Sequence, residues 1–64
     1  MSESPLTLSV PDAAKRLGVP VSTMYEIVKT KGFPAIRIGT RILVSAKGLE
    51  DWVDRKAQEG YRNP

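Results

Sequence analysis

Gly18-Val19-Pro20 sets two short amphipathic stretches against each other, and this corner constrains the fold more than any other feature of the chain. On its N-terminal side, Val10, Ala13, Ala14 and Leu17 follow the i, i+3, i+4, i+7 spacing of one buried helical stripe, with Lys15 and Arg16 on the other side. Ser9 opens this helix as its N-cap, Asp12 three residues on resembles a capping box, and Pro11 is tolerated in the first turn. Gly18 closes it as a left-handed C′ residue, and Val19-Pro20 makes the turn. A second helix is predicted from about Val21 to Thr30. At ~100° per residue, Val21, Met24, Tyr25, Ile27 and Val28 take one side. Ser22, Thr23, Glu26, Lys29 and Thr30 take the other, with no apolar residue among them. Tyr25 lies at the border, so its ring can pack while its hydroxyl reaches outward.

Lys31-Gly32-Phe33-Pro34 breaks the helix, and Phe33, the only Phe, is expected to anchor the turn in the core. Ile36 to Val44 reads as a β-hairpin. A two-residue type II′ turn at Gly39-Thr40 is one solution, but it places Arg41 on the same face as Ile36 and Ile38. A three-residue loop of Gly39-Thr40-Arg41 pairs Ile38 with Ile42 and Ile36 with Val44. It leaves Arg37 outward and Arg41 at the tip, and is the favoured register, at the cost of an outward Leu43 beside Arg37. Ser45 caps a third helix that runs to about Glu59. Ala46, Leu49, Trp52, Val53 and Ala57 form its buried arc, with Trp52 the largest single core contribution expected. Glu50, Asp51 and Asp54 gather on its far side. The fold class is therefore mostly α with a small β-hairpin, in the order helix, helix, hairpin, helix.

Sixty-four residues are enough for one domain near the lower size limit for an unaided core. Residues 1–6, polar and broken by Pro5, are expected to be a disordered lead, 7–59 the domain and 60–64 a tail. With neither Cys nor His, disulfides, thiolate metal sites and the usual zinc fingers are excluded, and no cofactor is expected. The apolar runs are too short to span a membrane, and the opening Met-Ser-Glu-Ser-Pro lacks the regions of a signal peptide, so a cytoplasmic location is expected.

The charge is sorted along the chain. Seven basic residues (Lys15, Arg16, Lys29, Lys31, Arg37, Arg41 and Lys47) face one acid, Glu26, in the central stretch, while both flanks are net acidic. The total of +3 hides this basic centre. A helical corner joined to a basic two-stranded flap is a common way of placing one helix in a DNA groove with a second contact beside it. The acidic third helix would be repelled by phosphate and should lie away from DNA.

The run from Leu8 to Tyr25 resembles the opening of the excisionase-type, MerR-like winged helix-turn-helix domains. Gly32 to Arg41 is similar to their wing, with its Pro, Arg and Gly, and Leu49-Glu50-Asp51-Trp52-Val53 to their closing helix. The likeness covers roughly residues 6 to 56. Pro20 departs from it, because many members place a capping Ser there, and Ser22 with a later helix start is the alternative cap. The resemblance implies a small protein that binds DNA site-specifically, either directing excision of a mobile element or regulating promoters. With no room after the wing for an effector-binding domain or a long dimerising helix, a stand-alone excisionase is the expected form.

Such a site needs short polar groups and a few long ones that reach base edges. Ser22 and Thr23 suit phosphates or bases at the N-terminal end of the second helix, with Tyr25 beside them. Glu26 either accepts a hydrogen bond from cytosine N4 or is a solvated residue paired with Lys29 at i+3. Lys29 and Lys31 are expected phosphate contacts, and Arg37, Thr40 and Arg41 suit a wing along the minor groove. Catalysis finds no support in the residue types, and the paired acids Glu50 and Asp51 point different ways on a helix. Expected partners are double-stranded DNA, a tyrosine recombinase (integrase) and neighbouring copies of the chain, with no membrane. A small transcriptional regulator is the alternative. A protein-interaction adaptor with vestigial DNA binding is a third, disfavoured by the basic centre.

Overall fold

The computed structural model describes residues 6–60. Residues 1–5 of the expected lead and 61–64 of the expected tail, with Tyr61 and Arg62, lie outside the described residues, while the Leu6 carbonyl accepts the Ala46 amide at 3.0 Å. Strand β1 (Thr7–Ser9) enters helix α1 (Val10–Leu17), and α2 (Val21–Val28) follows after the corner. Strands β2 (Ala35–Ile38) and β3 (Arg41–Ser45) form the hairpin, and helix α3 (Ala46–Glu59) closes the chain. Three helices and a hairpin after the helical corner give a mostly-α winged helix-turn-helix, as the sequence implies.

The caps of α1 are those read from the sequence. The Asp12 amide donates to Ser9 Oγ at 3.2 Å, and Gly18 takes the left-handed conformation (φ +82°) with its amide on the Ala14 carbonyl at 2.8 Å. A residue with a Cβ resists that conformation, so the corner depends on glycine there. The stripe is equally well placed, with Val10, Ala13 and Ala14 buried and Leu17 half-buried. Helix α2 starts at Val21 with Pro20 at its N-cap, and no side chain caps it. Ser22 is thus not the alternative cap. The helix is also shorter than predicted. The amides of Lys29 and Thr30 turn back to the carbonyls of Glu26 and Ile27, three residues earlier, which tightens the chain into a turn.

The sheet differs from the prediction in two ways. A third strand is present, β1, paired antiparallel with β3, so that β3 is central in the order β1-β3-β2. The hairpin register is also the one not favoured. Ile38 pairs with Arg41, Ile36 with Leu43 and Ala35 with Val44, around a two-residue Gly39-Thr40 turn. Gly39 has φ +62° and Thr40 does not have a positive φ, the combination of a type II′ turn, whose twist matches the strands it joins. The physical reason is the turn: with only two residues in the loop, Ala35 rather than Ile36 comes opposite Val44. β1 places Leu8 opposite Val44 on the core face, so Ile36 and Ile38 go to the other face. Val44 is fully buried, whereas Ile36 and Ile38 are exposed.

The core lies between the sheet and the helices, with Met24 and Val44 its largest fully buried side chains. Leu8, Phe33 and Leu49 fill in around them. Trp52 is not among the fully buried residues; it packs on the rim of the core, edge-on to Phe33 with ring centroids 5.0 Å apart and Lys56 Nζ 5.8 Å from its own centroid. Val53 and Ala57 are exposed, because α3 meets the core only through its first turns. Val21 is also exposed, so α2 is held by Met24 with help from Ile27 and Val28.

Helix α3 begins under a tight constraint. Ser45 Oγ accepts the Gly48 amide at 2.9 Å, and a Cβ added at Gly48 would lie 2.6 Å from Cβ of Pro34. Alanine normally gains about 1 kcal/mol over glycine inside a helix. Here Gly48→Ala is expected to be net destabilising, by about 1–3 kcal/mol, because the rigid Pro34 ring and the cap must both shift. Chemical denaturation checks this, and a stabilised variant would contradict the packing.

Candidate nucleic-acid interface

Helix α2 presents one polar face. Ser22, Thr23, Glu26 and Lys29 are all exposed on it, while Met24 on the opposite side has no solvent exposure. Because no side chain caps α2, the amides of its first turn keep their donor capacity, and the helix dipole adds partial positive charge there. This end of the helix, flanked by the Ser22 and Thr23 hydroxyls, suits an anionic oxygen. Glu26 sits one turn further on. Its Oε2 lies 3.8 Å from Lys29 Nζ, with both side chains largely in solvent, so the pair is weak and separable. Lys31 is exposed in the turn that follows.

The wing supplies the second part. Arg37 Nε donates to the Gly39 carbonyl at 3.3 Å, which folds its guanidinium onto the turn and leaves its remaining donors outward. Arg41 stands on the opposite face of the ribbon, beside Ile38. A cleft of about 280 Å³ joins the two parts. Tyr25 of α2 lines it from one side, Thr40, Arg41 and Ile42 of the wing from another, and Ser9, Val10 and Pro11 form its floor at the start of α1. Tyr25, Thr40 and Arg41, 15 and 16 residues apart in sequence, therefore share one surface. Ile42 belongs to it too, although the sequence places it in the core: it shares Val44's face of β3 but lies toward the tip, past the edge of the core, and is exposed.

One basic residue of the central stretch is turned elsewhere. Arg16 Nη2 lies 3.2 Å from Glu50 Oε2, tying α1 to α3. It lines a separate groove with Leu17, Glu50, Val53 and Asp54, away from the cleft between α2 and the wing. Nothing local in the sequence signals this pairing, because its members are 34 residues apart. Among the described residues no group of His, Cys, Asp and Glu can hold a metal ion, and no helix is long and apolar enough to cross a membrane.

A helical corner whose second helix offers a polar face beside a basic β-wing defines a helix-turn-helix protein of the winged kind. The chain belongs to the helix-turn-helix domain family, whose model matches residues 7–57. DNA binding is the function that this membership carries. Comparison with curated proteins gives no significant match, and comparison with solved structures gives none either.

Proposed function

We propose that the protein is an excisionase-like accessory factor. It binds and bends double-stranded DNA near the end of a mobile element, so that a tyrosine recombinase assembles for excision. The observation that carries this reading is the shared surface of α2 and the wing across the Tyr25–Arg41 cleft, because a helix and a ribbon held side by side can engage adjacent grooves. The family includes excisionase-like proteins, and the likeness in three segments of the chain supports the same assignment.

In this reading α2 enters the major groove. Ser22, Thr23 and Tyr25 meet the backbone and base edges at its start, Glu26 accepts from a cytosine N4, and Lys29 and Lys31 bind phosphates. Arg37, Thr40 and Arg41 follow the minor groove under the wing. A single module of this size covers only about 600–1,000 Å² of its own surface on DNA. Specificity for one site then calls for several copies on neighbouring repeats, with the bend offset by the contacts between them and the DNA.

Glu26→Ala and Arg41→Ala are expected to fail differently. The first relaxes preference at one or two base pairs and strengthens non-specific binding by removing an acid. The second weakens binding by about 1–3 kcal/mol, mostly at A·T-rich positions under the wing. Binding selections on random duplexes with each variant separate the two. The role itself is tested by footprinting on the element's own end and by excision assays with the gene deleted. Protection in steps of about one helical turn, with excision lost, supports the accessory factor. One protected site over a promoter, with excision intact, makes the protein a transcriptional regulator instead.

A further inference from the structure

The wing carries apolar surface that neither the core nor α2 uses. Ile38 is 59% exposed, and the register turns it away from the core, opposite Arg41 on the outer face of the sheet. It is the last strand residue before the Gly39-Thr40 turn, so it occupies the outermost rung of the ribbon. A single exposed isoleucine is ordinary on a protein surface, and strands favour branched side chains for local reasons. What distinguishes Ile38 is its company. Arg41 is its cross-strand neighbour on the same face, a position where Cβ atoms lie about 4.5–5.5 Å apart. Arg37 precedes it, with its guanidinium held at the turn by the bond to Gly39. Thr40 completes the tip.

Ile38 thus protrudes beside Arg41 on one face of the ribbon tip while Arg37 extends from the other face, a poor match for an apolar protein surface, which would have to bury the Arg41 cation with it. It is a good match for a narrow DNA groove. The arginines meet phosphates on the two strands, and the aliphatic group meets the sugars and base edges between them. Apolar side chains delivered in this way act as wedges that part a base step and kink the duplex.

We infer that Ile38 is such a wedge, inserted from the wing into the minor groove, and that it sets the bend in the bound DNA. The inference rests on the DNA-bending reading above and assigns that bend to one side chain. Pyrimidine–purine steps unstack most easily, so a TA or CA step is selected beneath Ile38 although the side chain makes no hydrogen bond.

The test uses the full chain and a duplex that the protein itself selects from a random pool. Fluorophores at the duplex ends read the bend, and 2-aminopurine at the step under the wing reads unstacking. The wild-type protein bends the duplex and raises 2-aminopurine fluorescence. Ile38→Ala binds about tenfold more weakly, the scale of one lost aliphatic contact, and loses most of the bend and of the fluorescence rise. Ile36→Ala, further from the tip, keeps both. Thermal unfolding of the two variants matches wild type, since neither side chain is buried. Equal bending by Ile38→Ala overturns the wedge, as does a wild-type complex that is tight but straight; in both cases DNA binding stands. If no duplex is selected at all, the DNA-binding reading fails first. Concentration-dependent self-association without DNA that Ile38→Ala abolishes would make this face a protein contact and also overturn the wedge.

Discussion

Met24→Ala is expected to unfold a large share of the protein at ambient temperature. Met24 has no solvent exposure, and it is the only residue of α2 buried outright. Truncating such a side chain typically costs about 2–5 kcal/mol, from the lost transfer energy and the cavity left behind. A core in a chain of this size rarely supplies more than about 3–5 kcal/mol of net stability, so the two quantities are comparable. Val21→Ala is the matched control. It lies on the same helical side in a sequence reading, but it is 42% exposed and should cost well under about 1 kcal/mol. Urea unfolding followed by far-UV circular dichroism compares them directly. Similar midpoints for the two variants would mean that α2 is not pinned through Met24.

The contrast between Met24 and Val21 shows where the sequence was legible and where it was not. Much that is set by neighbours along the chain was readable: the Ser9 and Ser45 caps, the Gly18 corner, and the polar face of α2 with Ser22, Thr23, Glu26 and Lys29, though not the end of α2 at Val28. These signals are local, since a cap or a 3.6-residue period involves residues within a turn or two. The hairpin register was not readable, because a two-residue and a three-residue loop both suit Gly39-Thr40-Arg41 and they differ only in which residue of β2 meets Val44. Strand β1 was not readable either: three residues, Thr7–Ser9, are too few to show a period, yet they bring Leu8 opposite Val44 on the core face. Hydrophobicity alone favoured isoleucines inside; the core instead takes the smaller Ala35 with Val44, and leaves Ile36 and Ile38 out. Val53 and Ala57 were placed in the core for want of a non-local signal as well. Their helix is amphipathic along most of its length, but the sheet beneath it is short, so the last turns of α3 extend past the core. The pairing of Arg16 with Glu50 is non-local as well, and it alters the expected charge of the DNA-facing surface.

That alteration leads to a measurable result in salt. Each phosphate neutralised on B-DNA contributes about −0.9 to the slope of log affinity against log salt. Lys29, Lys31, Arg37 and Arg41 are the cations proposed to meet phosphates, whereas Arg16 is engaged by Glu50 on the other side of α1. Four contacts give a slope of about −3.6, so affinity should fall about 150-fold between 50 and 200 mM salt. Arg41→Ala should bring the slope to about −2.7, because one released counterion is lost. Arg16→Ala should leave it unchanged, since that guanidinium releases no counterion on binding; its effect should appear in the docking of α3 on α1 and hence in stability. The measurement is a titration by fluorescence anisotropy at four or more salt concentrations, on a duplex selected by the wild-type protein. A flat salt dependence would remove phosphate contact from the account entirely. A slope that drops by about one unit for Arg16→Ala, with Arg41→Ala unchanged, would place the DNA on the α1–α3 side and the wing away from it.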